Sequence, residues 1–128
     1  MNFSKAELVQ YRLSRAKEAF KDAEILTVSK SWNAAANRLY YACFYAVSAY
    51  LALHDIETTT HAGLKAAFNK ELIKSGKIDK SHGLHFNRLF GLRQEADYED
   101  FFNVDEAEIS LLLPKIQSLL FEIENLIQ

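Results

Sequence analysis

Residues 31–54 read SWNAAANRLYYACFYAVSAYLALH. Ala34, Ala35, Ala36, Leu39, Ala42, Phe44, Ala46, Ala49, Leu51 and Leu53 spread apolar side chains over almost every face of a helix, the pattern of one enclosed by others. The longest apolar run, Tyr40 to Leu53, is shorter than the roughly 18–20 residues that span a bilayer, and Ser48 interrupts it. The stretch therefore predicts a central helix buried in protein, with no membrane segment. Arg38 is its only charge, and Tyr41 and Tyr45 follow three and seven positions on, so a guanidinium and two phenols share one side.

Around this stretch the chain is built for helices. Its 128 residues leave room for one compact domain over 1–128, and with only 4 glycines and 1 proline turn-formers are too scarce for a many-stranded sandwich or barrel. Hydrophobic residues at 49% and charged residues at 25% exclude disorder. A net charge of −2 excludes the broad positive field of a non-specific nucleic-acid binder, while local readout of RNA stays open. Cys43 is alone in the sequence and inside an apolar run, so it predicts packing rather than a disulfide. Lys5, Glu7, Arg12, Arg15, Lys17 and Glu18 break up the first thirty residues as no secretory signal does, which places the expectation in the cytoplasm.

Upstream, Ser4 and Glu7 form a capping box and Phe3 and Leu8 the two positions of a hydrophobic staple. Val9, Leu13, Ala16, Phe20, Ala23 and Leu26 then make one stripe, ending near Ser29. Downstream, Thr58, Thr59 and Thr60 are cap candidates for a third helix carrying Leu64, Ala67, Phe68 and Leu72, with Gly76 as its C′ residue. Ser81 can cap a fourth through Leu84, Leu89, Leu92 and Ala96, and Gly91 inside it suggests the close approach of a backbone or ligand. Asp105 and Glu108 open a fifth, with Val104 and Ile109 as staple. Its stripe is Ile109, Leu112, Ile116, Leu120, Ile123 and Ile127, and Pro114 predicts a kink. The expected fold is all-α, an up-and-down four- to five-helix bundle.

The segment Arg93-Gln94-Glu95-Ala96-Asp97-Tyr98 puts a cation, a carboxylate and a phenol at the end of a regular helix. Arg93 and Asp97 are four apart, which by itself makes an intrahelical ion pair. His61, beside three threonines, reads on its own as a local hydrogen-bonding residue. His82 and His85 lack a third ligand and no E-x-x-H sequence exists, so neither metal nor cofactor is expected. Tyr40, Phe44, Phe68, Phe86, Phe90, Phe101 and Phe102 read as core or dimer interface, Phe101 and Phe102 being the pair expected to meet a second chain.

Three blocks, Asn37-Arg38-Leu39-Tyr40-Tyr41-Ala42-Cys43-Phe44, Thr60-His61-Ala62-Gly63-Leu64 and Leu92-Arg93-Gln94-Glu95-Ala96-Asp97-Tyr98, resemble in order and spacing the short single-domain branch of the prokaryotic HEPN family. The resemblance covers nearly the whole chain. It implies a helical bundle that forms a homodimer and is encoded beside a minimal nucleotidyltransferase, as half of a toxin–antitoxin module. Many HEPN domains cleave RNA without metal, using an arginine followed after four to six residues by a histidine. Here Arg93, Arg38 and Arg88 have no histidine at those spacings, and a phenol with an unperturbed pKa of about 10 is a poor base at pH 7.

Transfer of a nucleotide to a tyrosine, known of relatives, would fall on Asp100. The reading that survives is a nucleotide- or RNA-binding site of Arg38, Tyr41, His61, Arg93, Asp97 and Tyr98. The alternatives are an atypical metal-independent endoribonuclease using Arg93 with Asp97 and His61, and a purely structural protein-binding bundle. Convergence of these side chains on one groove separates them.

Overall fold

A computed structural model describes residues 3–98 and 103–128, with Tyr98 described in its backbone alone. The Tyr98 side chain, Phe101 and Phe102 lie outside the described residues, and the expectations placed on them go no further here. The helices are α1 (Lys5–Val28), α2 (Trp32–Leu53), α3 (His61–Phe68), α4 (Lys80–Tyr98) and α5 (Glu106–Ile127), with a π-helical segment, Asn69–Lys74, continuing α3. No strand occurs among the described residues, so the chain is an all-α bundle. None of these helices is long and apolar enough to cross a membrane.

Local chemistry sets most of the boundaries. Ser4 Oγ accepts from the Glu7 amide at 3.1 Å and donates to Glu7 Oε1 at 3.0 Å, so the box closes through the hydroxyl. Phe3 is 69% exposed, so the expected staple with Leu8 is not closed. Asp105 caps α5 by accepting from Glu108 N at 2.9 Å, and the helix continues through Pro114, which lies on the exposed side. There water can satisfy the carbonyl that the proline leaves without a donor. After α1 and α2 the chain turns through Lys30 (φ 62) and Asp55 (φ 58), left-handed positions held by amides of Ser31 and Ile56 reaching back to Leu26 and Leu51.

The expected start and stripe of α4 need correction. Asp79, not Ser81, is the cap, its carboxylate accepting from Ser81 N at 2.8 Å. His82, Phe86 and Leu89 face inward at spacings of four and three, and one more step of four reaches Arg93. Leu84 lies about 200° around the helix from His82 and is 71% exposed, and Ala96 is exposed too. Among the described residues nothing lies within 4 Å of where a Gly91 Cβ would be, so the expected close approach of a backbone is not seen there. Helix three also departs from expectation, because regular winding stops at Phe68. Asn69 Nδ2 donates to the Lys65 carbonyl at 3.0 Å, competing with the backbone ladder where the winding widens.

The core forms around α2, which packs against α1 above all and also against α3, α4 and α5. Ala16, Ala19 and Ala23 of α1 and Ala35, Ala42 and Ala46 of α2 are all buried, and such small side chains let two backbones approach closely. Ala34, expected among the apolar faces, is exposed instead. Cys43 is fully buried, and burial pushes its thiol up, out of reach of ionisation.

Candidate functional site

The fold brings α2, the first residue of α3 and the end of the α4 stripe to one place. Tyr40 is fully buried, yet its hydroxyl lies 2.8 Å from His61 Nδ1. The His61 ring packs at 4.9 Å from Phe44, 5.7 Å from Tyr40 and 6.1 Å from Tyr41. From α4, the Arg93 guanidinium stands 5.6 Å from the centre of the Tyr40 ring, and Arg38 stands 5.1 Å from that of Tyr41. Tyr40 and Tyr41 meet edge to face at 5.2 Å, which joins the two cation–aromatic pairs into one cluster.

His61 is held by the cap of its own helix. Thr60 Oγ1 accepts from Gly63 N at 2.9 Å, and a Cβ on Gly63 would come within 3.0 Å of that oxygen. The glycine therefore leaves room for the cap, and the cap fixes the turn that presents the imidazole. Arg38 is oriented by Asn37 Oδ1, at 2.9 and 3.2 Å from its nitrogens. Arg93 and Asp97 approach only to 3.7 Å, a loose pair in which the guanidinium keeps hydrogen-bonding capacity to spare.

The electrostatics favour a set of donors. Burial, then the charge of Arg93, lowers the His61 pKa against the opposing pull of Asp97, so the imidazole is neutral near pH 7. Burial raises Tyr40 to about 12, against the pull of Arg93, and keeps it a phenol. With the phenol as donor to Nδ1, the neutral imidazole carries its own proton on Nε2; in the other tautomer Nδ1–H donates to the phenol oxygen. For Arg93 the penalty of burial is outweighed by Tyr41, Asp97 and Tyr40, and its pKa is raised. Two guanidinium groups and a neutral N–H thus surround the Tyr40–Tyr41 pair, an arrangement able to grip an anion and poorly set to take a proton.

Arg38, Tyr41, His61, Arg93 and Asp97, named from the sequence, are all brought together; Tyr98 contributes backbone only to what is described. Tyr40 reads from the sequence as packing, yet its hydroxyl also meets the imidazole. The available signal was the general one that a buried phenol finds a partner. His82 and His85 sit elsewhere, His82 facing Glu122 of α5. Among the described residues no group of 3 or more His, Cys, Asp or Glu is placed to hold a metal.

The family model of the HEPN domain matches residues 9–126. The chain belongs to the HEPN family. Its relatives include a "UPF0332 protein" of Thermotoga maritima, 36% identical over 97% of this chain and 94% of that protein. A second, from Methanocaldococcus jannaschii and named a "putative toxin", is 31% identical over 80% of this chain and 70% of its own. In this HEPN chain the histidine beside Arg93 comes from α3. Imidazole and guanidinium both lie against the Tyr40 ring, brought there by tertiary structure and not by a spacing along one helix.

Proposed function

We propose that this HEPN domain binds the phosphate of a nucleotide or of RNA through Arg93, Arg38 and the Nε2–H of His61, with the Tyr41 ring backing Arg38 and Asp97 orienting Arg93. The observation that carries the reading is the Tyr40–His61 hydrogen bond of 2.8 Å beneath Arg93. With the phenol as donor, it occupies the Nδ1 lone pair of the imidazole and leaves Nε2–H as the free donor. Phosphate recognition wants donors of that kind, whereas cleavage wants a base. The name of the M. jannaschii relative supports a place in a toxin–antitoxin module. In that module the domain works in the cytoplasm as a homodimer, beside a minimal nucleotidyltransferase.

Arg93→Gln and His61→Gln are each expected to weaken binding of a short single-stranded RNA about tenfold or more in a fluorescence anisotropy titration, with unchanged circular dichroism. Unaltered affinity in both variants would sink the reading. The runner-up is a metal-independent endoribonuclease of Arg93, Asp97 and His61, favoured by the nearness of the imidazole to Arg93. RNA cleavage that persists under chelation and disappears in Arg93→Ala would establish it instead. Co-purification with the protein encoded by the adjacent reading frame tests the partner. Absence of a nucleotidyltransferase there, or of any complex with it, would remove that part.

A further inference from the structure

Next to the arginine cluster, a cleft of about 790 Å³ opens between α1, α2 and the segment 55–60 that leads into α3. Phe44 and His61 belong to both places: they line the cleft and pack against Tyr40 and Tyr41. Arg38 and Arg93 are not on its wall, so the cleft adjoins the site described above across Phe44 and His61.

Its charges cancel. Lys5 is bound to Asp55 at 2.9 Å, and the remaining charged side chains on the wall are Arg12, whose Nη1 donates to the Ser48 carbonyl at 3.1 Å, and Glu57. A wall with two groups of each sign offers no attraction for a second phosphate. What it offers is a ring surface from Phe44 and Tyr45 with hydroxyls from Ser48, Thr58 and Thr59. Tyr45 is itself steadied by the Arg15 guanidinium 5.2 Å from its centre. An uncharged, flat, hydrogen-bonding group suits such a wall, and the volume falls within the ~300–1,000 Å³ of small-molecule sites.

We propose that this cleft is a nucleoside subsite, which takes the base and ribose of the nucleotide whose phosphate is gripped by Arg93 and Arg38. The proposal rests on the phosphate-binding reading and assigns the ligand's two chemical halves to two adjoining places, with His61 at the junction. The neutral wall holds the neutral half, and the cationic cluster holds the charged one.

Calorimetric titrations of the full chain with adenosine 5′-monophosphate, uridine 5′-monophosphate and inorganic phosphate test it. At least one nucleotide is expected to bind about tenfold or more tightly than phosphate. Ala52→Phe fills the cleft from α2 and Leu8→Trp fills it from α1, both residues being half-buried on its wall. Either is expected to bring nucleotide affinity down to that of phosphate while phosphate binding stays as it was; if one variant fails to fold, the other is read. Arg93→Gln should weaken all three ligands. Nucleotide binding that Arg93→Gln reduces and the filled variants leave intact would overturn the subsite alone. Equal affinity for nucleotides and phosphate would do the same. Binding indifferent to Arg93, or no binding by any of the three ligands, would overturn the phosphate site and the subsite together.

Discussion

At the scale of single residues, His61 sets the pH behaviour. Its folded pKa lies below the ordinary 6.5 because burial, and then Arg93, disfavour the imidazolium. As pH falls through 6.5 the unfolded chain takes up the proton first, so the folded state is at full stability above that value and loses stability below it. His85 acts in the same direction, through burial, then His82 and Lys115. Urea midpoints are expected to drop between about pH 7.5 and about pH 5.5, with a smaller drop in His61→Gln. In an NMR titration His61 should have a midpoint under 6.5, moving upward when inorganic phosphate is added; a free-protein midpoint at or above 6.5 would contradict the burial described. Tyr40→Phe removes the partner of Nδ1 in a buried place, for an expected loss of about 1–2 kcal/mol in urea unfolding. It should also weaken RNA binding, although Tyr40 has no exposed surface, and rescue by lowering the pH would show that the lost orientation of His61 is the cause.

At the scale of elements, two caps with the same geometry are expected to differ in consequence. Asp105→Ala and Thr60→Ala each remove a side-chain acceptor for the amide three residues on, and each should cost about 1 kcal/mol. Asp105 opens α5, which carries none of the candidate site residues, so its variant should retain wild-type ligand affinity. Thr60 holds the turn that carries His61, so its variant should lose affinity as well as stability. Equal affinity in the two variants would mean that the cap does not position the imidazole. The caps at Ser4, Thr60 and Asp105 were legible because capping is local, a side chain meeting an amide three residues away. The winding of residues 69–74 was not. Leu64, Phe68 and Leu72 keep a spacing of four, and over so few residues that spacing does not distinguish regular from wider winding. Leu84 misled for a related reason: in α4 a leucine sits outside while His82, a polar residue, occupies the buried stripe beside Glu122.

At the scale of the molecule, a net charge of −2 means that any attraction for RNA comes from a local cluster and not from the whole surface. Two guanidinium contacts predict a shallow salt dependence, with log K against log salt falling at a slope of about −1 to −2 for single-stranded RNA. A much steeper slope in anisotropy titrations would place further phosphate contacts outside the cluster. The sequence by itself determined the helical class, the central place of residues 31–54 and most of the helix boundaries, because periodicity and capping act over a few neighbouring residues. It also marked Arg38, Tyr41, His61, Arg93 and Asp97 through their three blocks. Only the tertiary structure decided that the Tyr40 phenol, which needs some partner once buried, finds it in the imidazole at 2.8 Å, and that a cleft opens beside Phe44 and His61. Both features join residues far apart along the chain. Their distances follow from how α1, α2, α3 and α4 pack, and packing depends on side-chain volumes meeting in three dimensions, which no spacing along one helix encodes.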